Sequence, residues 1–569
     1  MNEKRHLING GDILVRCLLE EQVQYLFGLP GGQLLNMYDA VYRWGKEHGI
    51  ETVLFRHEQA AAHAADAYAR VTNKIGVCFG TVGPGALHLM PGVGAAWADN
   101  IPIIAIVPQV NYKYIDRFML QGNLDQLTMF KPITKYQKSV REAESIPDAV
   151  QKAFREISTG RSTPALIEIY VNALEQEIEE DQVKILPSNS YRVSFKPGID
   201  QSLVSQAFEM LANAEKPLIV SGGGVLRAEA WNELKMFAEY MQIPVITSMM
   251  GIGTISNDSK CFLGSTLANT PIQVPTSADV ILALGCKFSY TMGYGMEPFW
   301  NDKQDLIQVD IDPTIIGRQK PIKLGVVGDC KVFLEKLIME AKNIEKIKYS
   351  TWLEELRVAK AKSNEKIKKK SLKGGSPIPS RRLVKEVFEF MEDNAILIID
   401  GGEIEAFALE QIDLYKPRRP LSTLIATGMG HLGVSIPYGI GAKLAAPKKQ
   451  VISISGDGAF MFNTQDLETA VRLKLDNLIY VVANNNVWGS MKSLQKLSQK
   501  KRYIDVNFSG FNYAKCAEGY GCYGEQVSDP DEIKNALKRA KKSGKPAIID
   551  VINKWETSDT TKLLTSVSM

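Results

Sequence analysis

Asp457, set between Gly456 and Gly458, and the run Asn484-Asn485-Asn486 are the residues whose types and spacing could do the most chemistry in this chain. Residues 451–455 read as a buried strand that delivers the aspartate at its carboxyl end. An amphipathic pattern over 464–475 predicts a helix, and the apolar run 478–483 predicts a second strand ending in the asparagines. One carboxylate, one amide oxygen and nearby backbone groups suit a small hard cation that keeps water or phosphate oxygens in its shell, as magnesium does. The glycines let the backbone turn tightly and approach a ligand. The N–H groups of Gly458 and Ala459, near a helix start, suit a diphosphate. Together these residues describe a site for a magnesium diphosphate.

Such a site needs strands and helices to hold it, and the rest of the chain reads as that scaffold. Residues 1–185 alternate helical patterns with apolar strands at 76–81, 102–107 and 164–170, and an acidic, proline-containing stretch at 175–187 reads as a linker. A second unit over 199–345 runs a strand into Ser221-Gly222-Gly223-Gly224 and has further strands at 280–285 and 306–312. Its glycines, with Asp310 or Asp312 near a ribose, look like a dinucleotide or ADP-type fold. The lysine-rich run over 344–375 reads as a solvated connecting helix. A third unit spans 376–555, and 556–569 form a tail. The fold class is α/β, with three doubly wound parallel-sheet domains. A weak internal echo ties the first unit to the third: an alanine-rich helix at 60–70 and a similar one at 434–446, each followed by lysine and a buried strand.

With 569 residues, 45% hydrophobic and 23% charged, the composition is that of a globular protein with sizeable cores. The net charge of +3 gives no reason to invoke nucleic acid or a membrane surface. The 7 cysteines lack metal-ligand spacing, and those in apolar strands, such as Cys78, read as reduced buried thiols. The first residues lack an apolar signal core and no apolar run spans a bilayer, so a cytoplasmic location is expected.

Gly-Asp-Gly followed by the asparagines in a strand-turn-helix-strand context resembles the signature of thiamine diphosphate (ThDP) enzymes. Two related units around a different middle one resemble acetolactate synthase and its relatives over nearly the whole chain. The resemblance implies a pyrimidine-binding, a middle and a diphosphate-binding domain, with Mg²⁺ at Asp457 and an asparagine. Counting back from Val487-Trp488-Gly489 gives Asn485 and a carbonyl from Val487, whereas the commonest spacing from Asp457 gives Asn484; Asn485 is the preferred ligand. Arg56-His57-Glu58-Gln59 resembles the acetolactate synthase segment and implies a catalytic Glu58. That glutamate would hydrogen-bond the aminopyrimidine and favour the imino tautomer that deprotonates the thiazolium carbon. In Thr427-Gly428-Met429-Gly430-His431-Leu432-Gly433, the matching positions imply a carbonyl acceptor at Gly430 and an apolar wedge at Leu432.

Gly28-Leu29-Pro30-Gly31-Gly32-Gln33 and Val82-Gly83-Pro84-Gly85 resemble the family's substrate-side and cofactor-flanking loops, placing Pro30 and Gly85 at the cofactor. Gln33, Gln121, His88, Trp488 and Met491 are expected on the substrate side, although Gly122 stands where the family has a glutamate. Glu403 replaces the usual Gln or Asn; ionised, it would repel phosphate, so it is expected to point away or to pair with a cation such as a lysine. The middle domain is open between FAD, ADP or CoA, and no ligand at all. The implied activity is C–C bond cleavage or carboligation, acetolactate synthase-like, through an enamine formed on ThDP from a 2-oxo acid. A 2-hydroxyacyl-CoA lyase, an oxalyl-CoA decarboxylase and a sulfoacetaldehyde acetyltransferase are the alternatives. A non-catalytic relative is disfavoured because Glu58, Asp457 and Asn485 are all present. The resemblance also implies a small-molecule substrate and a homodimer or homotetramer with active sites at the dimer interface.

Overall fold

A computed structural model of the chain describes residues 6–568 apart from 123, 194, 267 and 344–348. The extreme amino terminus and the start of the lysine-rich run thus lie outside the described residues. The remainder of that run forms the helix Ser350–Ser371.

Three six-stranded sheets carry the fold, and every neighbouring pair within them is parallel. Their central strands, among them Ile103–Gln109, Val280–Leu284 and Leu478–Asn484, are buried along their whole length. That is the pattern of parallel sheets covered by helices on both faces. Numbered within its own sheet, the first and third share the strand order 2-1-3-4-6-5, whereas the middle one runs 3-2-1-4-5-6, the dinucleotide-fold order. The echo in the sequence is therefore an echo of topology.

Strand order reverses between Tyr25–Gly28 and Gly76–Phe79 in the first sheet, and between Ile396–Asp400 and Val451–Gly456 in the third. Open α/β sheets bind ligands outside the carboxyl ends of the strands at such reversals. By compactness the chain forms two units. One comprises Met1–Phe195, Gly428–Pro447 and Asn463–Leu473; the other comprises Lys196–Thr427, Lys448–Phe462 and Lys474–Met569. Among the described residues no helix is long and apolar enough to cross a membrane.

In the first unit the alanine-rich helix Glu58–Thr72 is the packing centre. Its small residues let neighbours approach to backbone contact: a Cβ on Gly441 would lie 2.3 Å from the Ala64 carbonyl oxygen, and one on Gly92 would lie 2.5 Å from the Ala62 Cβ. The helices Ser435–Ala445 and Pro84–Asp99 are thereby seated on it. The contact is closed by a buried polar cluster. Arg70 Nε donates to Asp66 at 2.7 Å and its Nη2 to Asp99 at 2.9 Å, while the Tyr438 hydroxyl donates to Asp66. Asp99 also accepts the Gly428 N–H at 2.7 Å, which fixes where the 428–433 loop begins. Burial pushes the Asp66 carboxyl up against the pull of Arg70. Breaking a buried ion pair strands a charge, so Arg70→Leu is expected to cost about 3–5 kcal/mol and Tyr438→Phe about 1 kcal/mol. Urea unfolding of both variants measures this, and an unchanged midpoint for Arg70→Leu would remove the cluster from the account of how these helices are held.

Candidate active site

The strand Val451–Gly456 ends beside Leu478–Asn484, with Gly456 opposite Ala483. Asp457 follows at once and is only 2% exposed. Its Oδ2 accepts the N–H groups of Asn485 (3.0 Å) and Asn486 (2.6 Å), and its Oδ1 accepts that of Gly458 (2.8 Å). Burial drives its pKa up to about 6 although these backbone donors pull it down. Among the described residues no cationic side chain pairs with it. A buried carboxylate oriented by amides and lacking a counter-charge is a donor set that fits a bound cation.

The two candidate asparagines differ in what occupies them. Asn484 donates its amide to Asp550 at 2.9 Å and to the Phe511 carbonyl at 3.0 Å, tying the strand end to its neighbours. Asn485 lies in the loop that touches Asp457, and its Oδ1 accepts only the Val487 N–H, at 3.2 Å. Asn486, at φ +56°, turns the chain so that Val487 and Trp488 follow. Gly458 and Gly402 are sterically required here, whereas a Cβ on Gly456 would meet only Ile404 at 3.7 Å. A Cβ on Gly458 would meet the Trp488 ring at 2.7 Å, and one on Gly402 would meet Ser490 Oγ at 2.0 Å. Glu403, buried at the first turn of Glu403–Glu410, accepts the Ser558 N–H at 2.9 Å. It is therefore turned to the carboxyl-terminal segment and not to a lysine. Met491 is half exposed on the helix Gly489–Ser498.

In the first unit, Glu58 opens its helix and is 7% exposed, and His57 caps that helix by accepting the Gln59 N–H. The carboxylate lies over glycines: its Oε1 is 3.2 Å from where a Gly85 Cβ would stand, and its Cγ is 3.2 Å from that of Gly80. Its other oxygen, Oε2, is 3.0 Å from His88 Nδ1, and the His88 ring stacks on His57 at 4.5 Å. Gln33 accepts from Thr81 at 2.8 Å and donates to Gln121 at 3.5 Å, so the two glutamines meet beside the strand-order reversal. Pro30 is exposed at the head of that loop. Gly430 has φ +61°, and Leu432 is half-buried in the segment that belongs compactly with this unit.

Sequence reasoning missed Thr81 and the pairing of His88 with Glu58; the residues are 30 positions apart and nothing in either motif points to the other. It also missed His63, fully buried, whose ring lies 4.6 Å from His431. His57, Glu58 and His88 offer donor atoms within 4.8 Å of one another. A metal there would displace existing bonds, because His57 Nδ1 already accepts from Gln59 and the neutral ring then carries its proton on Nε2. In the middle sheet, the glycines of the nucleotide-like motif serve packing. A Cβ on Gly222 would stand 2.0 Å from the Gly285 carbonyl oxygen, and Asp310 accepts the Asp312 N–H at 2.9 Å.

Comparison with known proteins decides the family. Residues 8–129 match the N-terminal TPP binding domain of thiamine pyrophosphate enzymes, 204–337 the central domain and 400–551 the C-terminal TPP binding domain. The chain belongs to the thiamine pyrophosphate enzymes. It is 34% identical over 563 residues to a probable acetolactate synthase large subunit of Methanococcus aeolicus, covering 95% of this chain and 92% of that protein. It is 31% identical over 543 residues to the acetolactate synthase large subunit of Haemophilus influenzae, covering 94% and 92%. Isozyme 3 of Escherichia coli, also an acetolactate synthase large subunit, is 29% identical over 544 residues, covering 94% and 92%. The chain is thus a ThDP-dependent enzyme.

If Asp457 and Asn485 hold the cation, Asp457→Ala should weaken Mg²⁺-dependent ThDP binding beyond the ~10–100-fold typical of outer-shell metal partners. Asn485→Ala should weaken it as well, and Asn484→Ala should act mainly on stability. Calorimetric titration of ThDP with and without Mg²⁺ reads all three; normal binding by Asp457→Ala would sink the assignment.

Proposed function

We propose that this enzyme is a Mg²⁺- and ThDP-dependent carboligase that takes a 2-oxo acid and joins its decarboxylated fragment to an acceptor, as an acetolactate synthase does. The observation that carries the reading is the near full-length likeness to proteins named acetolactate synthase large subunits, 34% over 95% of the chain. The geometry of Asp457 and Glu58 supports it. ThDP, when bound, supplies an acidic thiazolium carbon whose carbanion adds to a carbonyl.

The chain's own residues would do the rest. Asp457, Asn485 and the Val487 carbonyl would hold Mg²⁺, with Gly456 giving the close approach and Gly458 and Ala459 lining the diphosphate. Glu58, buried at the start of its helix, would hold and release a proton on the carboxyl oxygen that His88 does not bond, in a setting poor in water. The Gly430 carbonyl would accept from the amino group of the pyrimidine, with Leu432 packed between the rings and Pro30 and Gly85 flanking them. Gln33, Gln121, Trp488 and Met491 would meet the substrate. Glu403 would serve the carboxyl-terminal segment through Ser558 rather than the phosphates. The domain limits 1–185, 199–345 and 376–555, the cytoplasmic location, and a middle domain open between FAD, ADP or CoA, and no ligand belong to the same reading.

Two measurements test it. Pyruvate should be converted to acetolactate; turnover of oxalyl-CoA, a 2-hydroxyacyl-CoA or sulfoacetaldehyde in its place would move the chain to another branch of the family. Glu58→Gln should keep ThDP bound but slow hydrogen–deuterium exchange at the thiazolium carbon by roughly 10²–10⁴-fold, and unchanged exchange by NMR would take Glu58 out of the mechanism.

The assembly we propose is a homodimer, or a tetramer of dimers, with each site drawing on two chains. Mixing Glu58→Gln with Asp457→Ala subunits should then restore some activity, since a fraction of sites would combine an intact Glu58 with an intact Asp457. No recovery from verified mixed dimers would refute shared sites.

A further inference from the structure

Glu58 has two oxygens with different surroundings. Oε1 approaches Gly85, 3.2 Å from where a Cβ would stand, a contact that glycine permits, while Oε2 is 3.0 Å from His88 Nδ1. An ionised carboxylate only accepts, so the bond requires a proton on His88 Nδ1. That tautomer comes at little cost, because the His88 side chain is 47% exposed and its other nitrogen can bond water, whereas the Glu58 side chain is only 10% exposed. His88 is itself held from the opposite side, stacked on His57 at 4.5 Å with 29° between the ring planes. His57 is in turn fixed by the N–H of Gln59, at 3.1 Å. The chain of contacts runs Gln59 N–H, His57 ring, His88 ring, Glu58 Oε2.

We propose that His88 is a positioning residue for Glu58: its Nδ1–H fixes Oε2, so that Oε1, held against Gly85, is the oxygen left for proton transfer. The proposal rests on the reading of Glu58 given above and moves His88 from the substrate to the proton-transfer apparatus. Burial and the neighbouring His88 both lower the His57 pKa, so His57 supports the stack as a neutral ring. Among the described residues, the titratable groups seen in contact with the His88 imidazole are one carboxylate, Glu58, and one uncharged ring, His57. This favours a donor role for His88 over repulsion between two imidazolium ions.

The test uses the ThDP- and Mg²⁺-loaded enzyme and follows hydrogen–deuterium exchange at the thiazolium carbon across pH. A hydrogen bond donated to the ionised form favours that form. His88→Ala should therefore slow exchange about tenfold near neutral pH, with ThDP affinity changed less than about threefold. His88→Asn keeps an N–H donor close to the position of Nδ1 and should restore the rate. Thermal unfolding of each variant separates a folding defect from a local one.

If His88→Ala exchanges at the parental rate while Glu58→Gln is slow, His88 does not position Glu58 and the proposal falls alone. If His88→Asn is as impaired as His88→Ala with both folded, the hydrogen bond is not the contribution and the proposal also falls. Unchanged exchange in Glu58→Gln itself would instead overturn the reading on which it rests.

Discussion

A carboxylate as deeply buried as Asp457 raises the free energy of the folded chain unless its charge is compensated. Three backbone N–H groups orient it without neutralising it, and its pKa, pushed up to about 6, records the shortfall. Much of the surrounding structure follows from this one group. The strand Val451–Gly456 must end just before it, the loop after Leu478–Asn484 must fold back so that Asn485 and Asn486 can donate, and Gly458 must lack a side chain because Trp488 occupies that space. A carboxylate met by amides alone, with no cationic side chain paired to it among the described residues, has a donor set that fits a cation.

Arg70 shows the opposite solution to the same problem. Asp66 and Asp99 are buried as well, yet the guanidinium and the Tyr438 hydroxyl bind them. That cluster is closed and leaves no vacancy for a ligand, so its role is structural: it seats Ser435–Ala445 on Glu58–Thr72 and, through Asp99 and the Gly428 N–H, sets the start of the loop carrying Gly430 and Leu432. The two carboxylate settings share burial and differ in how the charge is met, by a guanidinium and a hydroxyl in one and by backbone amides in the other.

Periodicity and strand-end chemistry made the three parallel sheets legible, because fully buried strands read as continuous apolar runs and their loops carry glycine and oxygen ligands. The family was legible for the same reason, since its motifs are local. Contacts made between distant segments were not. His88 meets Glu58 through a 30-residue separation, and Glu403 finds its donor at Ser558, in the tail, 155 residues away. The glycine run at 222–224 reads in sequence as part of a dinucleotide or ADP-type fold, and in space Gly222 and Gly224 also make room for the backbone of Gly285. A glycine shows that something comes close; only the fold shows whether it is a ligand or another strand.

The shared strand order of the first and third sheets sharpens this distinction. Both reverse at the same topological position, and both follow the reversal with glycine-rich loops. Identical scaffolds nevertheless present different chemistry. In the third sheet the strand runs straight into Asp457, so the carboxylate stands at the strand end and is held by backbone amides. In the first, Gly76–Phe79 ends in Gly80 with no acidic residue, and the carboxylate comes instead from the helix Glu58–Thr72, reaching over Gly80 and Gly85 to a histidine. An acid fixed by amides at a strand end is suited to holding a cation in place. An acid at the start of a helix, bonded on one oxygen by an imidazole, stands in a different setting. One topology thus carries two kinds of buried carboxylate, and what divides them is which element supplies it.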